Sequence, residues 1–279
     1  MTIRPRKAIL GLGLATCFAL TLAGCAGITV EKAGSESKTP EPSASGQTPK
    51  VETVREGQLT ICTNPPYYPF EATDGTVVTG FDMDLTAEVA RDLDLEIDYV
   101  ITAFEAIESA AALDTGTCDI GASALSITEA RSAKLDFSTS YYTTTMGLLV
   151  KADSGITDVA GLAGKPVGVQ QGTTGERWAR SQPELTDIKQ FEGLGDQVTA
   201  LQAGDVVGIF NDTPTLVEYE DKGFAIVGQF DAGGEPEVFG LAVKKGNTAL
   251  LSQINKTLER ITGDGTYDEL LAKWRLAEK

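Results

Sequence analysis

A pair of threonines flanked by glycines, in QQGTTGERW at residues 170–178, is the first pattern in this sequence suited to binding a charged group. The stretch follows an apolar run and precedes a predicted helix, so its backbone N–H groups would present partial positive charge to an anion. That anion is a phosphate or a carboxylate. A phosphate loop requires GxxxxGK followed by Ser or Thr, whereas GLAGKP at 161–166 lacks that spacing. The pattern therefore favours a carboxylate.

Two features of the composition exclude whole classes of function. The 279 residues include 40 acidic and 23 basic side chains, a net charge of −17, which disfavours binding to nucleic-acid phosphates. The sequence contains no histidine, which removes His-dependent catalytic triads and His-bearing metal sites. Carboxylate metal sites and carboxylate general bases pass this test. We predict no nucleic-acid partner, no metal and no cofactor.

The N-terminus has the pattern of a lipoprotein signal peptide. A basic segment precedes an uncharged, largely apolar stretch at 9–22, too short for a comfortable membrane span. It ends in LAGC, which resembles a lipobox and implies lipid attachment to Cys25; an ordinary signal peptide with an incidental cysteine is the alternative. We predict a signal peptide at 1–24 and a lipid-anchored, disordered tether at 25–55, outside the cytoplasm at the cell membrane.

Two further cysteines, Cys62 and Cys118, fall in predicted strands of the folded domain. An exported protein permits them to form a disulfide. Both also have the surroundings of buried strand residues, which would keep them reduced. We expect two free thiols.

From residue 57 onward, apolar patterns alternate between strand and helix. The βαβαβ order predicts α/β lobes, each with a mostly parallel sheet flanked by helices. We predict lobe 1 over 56–144 and 239–279 and lobe 2 over 145–238, joined by crossings near 143–148 and 235–240. Within lobe 1 we expect a strand over 118–123 and helices over 83–93, capped by Asp82, and over 104–116.

Five motifs occur in the order typical of one family. They are NPPYYPFEATDGTVVTGFDMDL, SALSITEARSAKLDFSTSYY, GLAGKPVGVQQGTTGERWA, FNDTPTLVEY and NKTLERITGDGTYDELLAKW. Together, over about 57–279, they resemble the polar-amino-acid solute-binding proteins of ABC importers. The resemblance implies a two-lobe periplasmic-binding-protein-like fold of type II with two hinge crossings. It also implies a free L-amino acid as ligand, an ABC permease with its ATPase subunit as partners, and no catalysis.

A free amino acid carries an α-carboxylate and an α-ammonium, and a closed site must provide partners for both charges. The resemblance matches Arg131 to the carboxylate-binding arginine of the family. The preceding SITE at 126–129 has the spacing of a capping box, so Ser126 is expected to cap a helix, to contact the ligand, or both. Asp212 is expected to bind the ammonium, or to cap the helix that starts near Pro214.

The resemblance implies further contacts around these two charges. They include the backbone near Ala124, the turn in which Thr173 or Thr174 caps a helix, and two aromatic rings, Tyr67 and Phe81, that sandwich the ligand's side chain. Core packing is an equally good interpretation of Phe81.

The selectivity of the site rests on three neutral amides, Asn64, Gln170 and Asn211. A cationic ligand side chain would lack a carboxylate partner there, so we predict an uncharged polar amino acid such as glutamine or asparagine. Two alternatives remain open. One is an enzyme on the same fold, similar to cyclohexadienyl dehydratase, with Glu105 or Asp82 as acid; the other is a tethered amino-acid sensor.

Overall fold

Two five-stranded sheets organise residues 51–231 and 236–277, which this computed structural model describes. The predicted signal peptide, Cys25 and the tether as far as residue 50 lie outside the described residues. The strands are β1 Gln58–Thr63, β2 Ala72–Thr73, β3 Val78–Thr79, β4 Glu96–Ile101, β5 Ile120–Gly121, β6 Leu135–Phe137, β7 Tyr142–Thr144, β8 Met146–Lys151, β9 Pro166–Gln170, β10 Asp187–Phe191, β11 Gly208–Asp212, β12 Phe224–Phe230, β13 Glu237–Phe239 and β14 Ala242–Lys244.

The helices connect and cover these strands. They are α1 Phe81–Leu93, α2 Phe104–Glu108, α3 Ala111–Asp114, α4 Glu129–Ser132, α5 Thr174–Ser181, α6 Leu194–Ala203, α7 Thr213–Glu220, α8 Thr248–Asp264 and α9 Thr266–Lys273, with a 3-10 turn at Val159–Leu162. Within the described ranges, no helix has the length and apolar character needed to cross a membrane.

Each sheet combines a parallel half with antiparallel returning strands. In the first, ordered β4-β1-β5-β14-β6, strand β1 pairs in parallel with β4 and β5, while β14 runs antiparallel to β5 and β6. In the second, ordered β10-β9-β11-β8-β12, strand β9 pairs in parallel with β10 and β11, while β8 is antiparallel to β11 and β12. The predicted two-lobe α/β architecture is confirmed.

Two short strands, β7 and β13, connect the lobes. They pair antiparallel, with Glu237 opposite Thr144 and Phe239 opposite Tyr142. The backbone of Ile127 also donates a hydrogen bond to the carbonyl oxygen of Val238, at 2.8 Å. The segment that precedes α4 is therefore held against β13, which brings two distant parts of the chain to one place.

Apolar side chains at helical spacing account for the packing of lobe 1. In α8, Leu250, Ile254 and Ile261 are fully buried, and in α1, Leu85 and Val89 are fully buried as well. These positions recur four or seven residues apart and form the stripe that an amphipathic helix places on a sheet.

Lobe 1 differs from the sequence-based expectation in three local features. Helix α1 begins two residues earlier than predicted, so Asp82 lies inside it, and its buried carboxylate accepts the backbone N–H of Ala124 at 2.7 Å instead of capping the helix. The helix predicted over 104–116 is broken at Ala110, where φ is 76°. The strand predicted over 118–123 covers only Ile120–Gly121, because the chain then bends into the loop that contains Ala124.

The expectation of free thiols is wrong, because Cys62 and Cys118 form a disulfide with their Cα atoms 5.7 Å apart. Cys62 lies in β1, and Cys118 lies two residues before β5, the parallel neighbour of β1. Burial does not keep these thiols reduced, because adjacent strands bring both into the same layer of the core.

Candidate functional site

A cavity lies between the lobes, where β1, β9 and β11 end. Crevices at the carboxyl ends of strands are where open α/β sheets bind ligands. Nine of the eleven residues predicted to contact a ligand line it, and Phe104 and Ser123 complete the wall. The nine are Asn64, Tyr67, Ala124, Ser126, Arg131, Gln170, Thr173, Thr174 and Asp212. An open groove along α8 includes none of these nine residues.

Arg131 is the cation of the cavity. It lies in α4 and is only 2% exposed. Its Nη1 donates to the carbonyl oxygen of Ser126 and its Nη2 to that of Gly172, both at 2.9 Å. Burial, and to a lesser extent nearby Arg177, lowers the pKa of Arg131 to about 10, while Glu108 and Glu237 oppose the change. The guanidinium therefore stays charged at neutral pH and links the two lobes.

The cap of α4 differs from the predicted capping box. Thr128, and not Ser126, accepts the backbone N–H of Arg131, at 3.2 Å. The hydroxyl of Ser126 instead donates to Glu237 Oε2 at 2.6 Å. Ser126 therefore does not cap the helix, and it lines the cavity.

The turn between β9 and α5, in lobe 2, is fixed by its own side chains. Thr173 caps α5 by accepting the backbone N–H of Glu176 at 3.1 Å. The carboxylate of Glu176 in turn accepts the backbone N–H of Gly172 at 2.8 Å. Thr174, the other predicted cap, donates its hydroxyl to Glu237 Oε2 at 2.8 Å. The turn thus holds Thr173 and Thr174 in different orientations at one wall of the cavity.

Asp212 is the carboxylate of the cavity. It ends β11 and precedes α7, but its side chain makes no capping hydrogen bond. It accepts the hydroxyl of Tyr67 at 2.5 Å. Burial raises the pKa of Asp212 well above its usual range, and the nearby carboxylate of Glu237 raises it further. A cationic group that enters the cavity would favour the charged form and offset this cost.

Two of the three predicted amides face each other across the cavity. Gln170 donates from Nε2 to Asn64 Oδ1 at 2.9 Å and to the carbonyl oxygen of Glu192 at 3.1 Å. Asn64 donates from Nδ2 to the carbonyl oxygen of Thr102 at 2.8 Å. Asn211 does not line this cavity, because its amide points into lobe 2 and donates to Gln197 at 2.9 Å.

The aromatic wall of the cavity is not the predicted one. Phe81 is fully buried in a cluster with Phe70, Tyr141 and Tyr267, so core packing is the interpretation that the structure supports. Phe104, which sequence reasoning missed, lines the cavity and lies 5.3 Å below the Arg131 guanidinium. Tyr67 keeps its predicted place at the cavity.

A pair of buried carboxyl groups lies behind the wall formed by Ser123 and Ala124. Glu71 accepts the hydroxyl of Thr63 and the backbone N–H of Asn64. Burial raises the pKa of Glu71 to about 8, with a further contribution from Asp82, and burial raises the pKa of Asp82 to about 7. Asp82 also holds Ala124, whose φ of 43° is rare for a non-glycine residue. These carboxyl groups shape the cavity from outside.

The other acidic residues near the cleft have structural contacts. Glu105 is exposed and accepts the side-chain amide of Gln171 at 2.8 Å. Among the described residues, no group of three or more Cys, Asp or Glu side chains is placed to hold a metal ion. Sequence reasoning also missed Glu237, whose carboxylate meets both Ser126 and Thr174; the predicted crossing at 235–240 was the only signal for it.

The chain is similar to known proteins over most of its length. Residues 59–277 match the model of the bacterial extracellular solute-binding proteins, family 3. The chain is 31% identical over 232 residues to the putative ABC transporter arginine-binding protein 2 of Escherichia coli, covering 80% of this chain and 91% of that protein. It is 28% identical over 279 residues to the ABC transporter glutamine-binding protein GlnH of Bacillus subtilis, covering 96% and 97%.

One solved structure with the same fold is linked to an enzyme by its description. It is the ancestral amino acid-binding protein AncCDT-1, described as a precursor of cyclohexadienyl dehydratase. It has a TM-score of 0.72 and 33% sequence identity, over 78% of this chain and 95% of that chain.

Proposed function

This chain belongs to the bacterial extracellular solute-binding proteins of family 3, the amino-acid-binding components of ABC transporters, and we propose that its ligand is an uncharged polar L-amino acid, with glutamine favoured. Hinge closure of the two lobes would trap the ligand, and the closed form would deliver it to a permease driven by an ATPase subunit. The observation that carries the proposal is the presence of Arg131 and Asp212 in one enclosed cavity. Opposite charges in one desolvated space match a zwitterion.

The amide end of the cavity supports a carboxamide side chain. Gln170 uses its Nε2 on Asn64 and on a backbone carbonyl, so Oε1 is the atom that it offers to a ligand. Asn64 uses one N–H of Nδ2 on Thr102 and keeps the second. An acceptor and a donor side by side complement the N–H and C=O of a primary amide. Among the described lining residues, Asp212 is the one carboxylate, so a cationic side chain would have no second anion.

The two relatives described above are named for different ligands, arginine and glutamine. A thermal-shift screen of the purified protein against all twenty amino acids tests the proposed selectivity, because a ligand that binds only the native state raises the unfolding midpoint. Glutamine or asparagine should give the largest shift. A response to arginine or glutamate without any response to glutamine would contradict the proposed selectivity.

We also propose that the protein is held at the outer face of the cell membrane by a lipid on Cys25, with 26–55 as the tether. Labelling of cells with an alkyne analogue of palmitate tests the anchor. Label on the parent protein and none on a Cys25→Ala variant is expected; equal label on both would exclude lipidation at this residue.

We propose lobe boundaries at 144/145 and 238/239. The pairing of strands β7 and β13 at these positions supports them.

The similarity to AncCDT-1 keeps an enzyme as the second candidate. A dehydratase needs an acid in the cavity, but Glu105 is exposed and Asp82 lies behind Ala124. These positions favour binding without chemistry. Incubation of the protein with prephenate and with arogenate should give no product, and turnover of either compound would support the enzyme.

A further inference from the structure

Glu237 has a position that the proposed binding of an amino acid by Arg131 and Asp212 does not explain. It lies on the connecting strand β13 and is 8% exposed. Its Oε2 accepts the hydroxyl of Ser126, from lobe 1, at 2.6 Å and the hydroxyl of Thr174, from lobe 2, at 2.8 Å. Its Oε1 is buried and has no hydrogen-bond partner among the described residues. One oxygen of a buried carboxylate thus receives a hydroxyl from each lobe.

These two contacts determine which way both hydroxyl groups point. A hydroxyl has one proton to donate, and an ionised carboxylate only accepts. Because Ser126 and Thr174 both direct their protons to Glu237, each presents only lone pairs to the cavity that it lines. A hydroxyl without such a partner rotates freely and can also donate to a ligand. The Glu237 carboxylate therefore converts two ambivalent groups into acceptors.

We propose that Glu237 is a positioning residue that makes this cavity selective for a primary ammonium, by holding the hydroxyls of Ser126 and Thr174 as acceptors beside the Asp212 carboxylate. The three acceptors come from three separate elements of the chain. A primary ammonium has three N–H donors and no acceptor, so it can satisfy all three. A hydroxyl group in the same place has one donor and would leave buried acceptors unpaired, which is costly.

This inference rests on the proposed amino-acid binding and adds a specific role to it. The measured quantity is the ratio of two dissociation constants, one for a 2-hydroxy acid and one for the L-amino acid with the same side chain. L-glutamine is the first probe, replaced by the L-amino acid with the largest thermal shift if glutamine gives none. Glu237→Ala should lower the ratio about tenfold, because the released hydroxyls can donate to the 2-hydroxy acid.

Three further variants separate orientation from charge and from folding. Glu237→Gln keeps a carbonyl acceptor for both hydroxyls, so it should retain a ratio within about twofold of the parent value. The double variant Ser126→Ala, Thr174→Val removes the hydroxyls themselves and should lower the ratio as Glu237→Ala does. Glu259→Ala, at an exposed position of α8, is the matched control and should leave both constants unchanged.

The outcomes distinguish amino-acid binding itself from the role of Glu237. A parent protein that binds no L-amino acid contradicts the proposed function. A parent that binds one, with the same ratio in Glu237→Ala, contradicts the role of Glu237 alone. Equal loss of the ratio in Glu237→Gln and Glu237→Ala would show that the charge matters and the orientation of the hydroxyls does not, which also overturns the inference.

Discussion

The hydroxyl of Tyr67 makes two hydrogen bonds to one residue of the opposite lobe, Asp212. It donates to Asp212 Oδ2 at 2.5 Å and accepts the backbone N–H of Asp212 at 3.3 Å. Tyr67 is itself held in lobe 1, because its backbone N–H donates to the carbonyl oxygen of Glu71 at 2.7 Å. The residue proposed to bind the ligand's ammonium is therefore also a point of contact between the lobes.

Loss of the Tyr67 hydroxyl should weaken ligand binding. In Tyr67→Phe the buried Asp212 carboxylate loses a donor in the closed form, which costs about 1–3 kcal/mol, so the dissociation constant should rise roughly tenfold. Isothermal titration calorimetry measures it. Tyr99→Phe is the control, because its hydroxyl bonds to Met83 within lobe 1 and should leave the dissociation constant unchanged. Unaltered affinity in Tyr67→Phe would show that the hydrogen bond between Tyr67 and Asp212 does not contribute to ligand binding.

Gly172 should be intolerant of a side chain for a reason that involves both lobes. It has a φ of +80°, and a Cβ there would lie 3.1 Å from Glu108 Cγ. Gly164 has a similar φ of +67° but open space around it. Both alanine variants should lose stability through backbone strain. Only Gly172→Ala should also weaken binding, roughly tenfold, because such crowding costs about 1–3 kcal/mol. Equal effects of both variants on the dissociation constant would exclude crowding across the cleft.

The buried carboxyls should make stability depend on pH. The pKa of Glu71 is raised from 4.5 to about 8, mainly by burial, so over this range the native state keeps a proton that the unfolded chain releases. The free energy of unfolding should therefore fall as pH rises through this window, by at most about 1.4 kcal/mol per pH unit for this group.

Replacement of the carboxyl tests this dependence. Glu71→Gln keeps an acceptor for Thr63 and Asn64 and should flatten the decline in urea unfolding curves measured between pH 5 and about 8. Glu96→Gln, at an exposed position, should retain the parent slope. A slope that is unchanged in Glu71→Gln would show that another group titrates.

The disulfide should contribute mainly to stability. Cys62 and Cys118 are 56 residues apart, and closing a loop of that length restricts the unfolded chain by about 4 kcal/mol. Reduction should lower the unfolding free energy by about that amount, while the amino-acid affinity of the folded protein should change little. The double variant Cys62→Ser, Cys118→Ser should show no response to reductant. Unfolding that is insensitive to reductant in the parent would contradict the bond.

Sequence patterns predicted the two lobes because strand and helix periodicities are local signals. The groups that depend on partners distant in sequence could not be predicted in this way. Glu237 and Ser126 are 111 positions apart, and only the pairing of β13 with β7 and its contact with the segment before α4 bring them together. Nothing in the local sequence of Glu237 distinguishes a buried carboxylate from a solvated one.

The aromatic wall shows the same limit on prediction. Phe81 and Phe104 both stand at the first position of a helix, α1 and α2. The helix that begins at Phe104 ends early, with Ala110 in a left-handed conformation, although alanine is the best helix former. Tertiary packing decides which phenylalanine lines the cavity and where the helix that begins at Phe104 ends. Sequence patterns therefore predicted an aromatic wall but identified Phe81 where the structure has Phe104.

We propose that Arg131 and Asp212 bind the two charges of one amino acid. The most direct measurement is calorimetric titration of L-glutamine into the parent protein and into Arg131→Ala, with the exposed Arg91→Ala as control. We predict one site per chain in the parent and in Arg91→Ala, and an affinity at least about 100-fold weaker in Arg131→Ala, because an unpaired buried carboxylate costs about 3 kcal/mol or more. Equal affinity in the parent and a folded Arg131→Ala variant would contradict the claim.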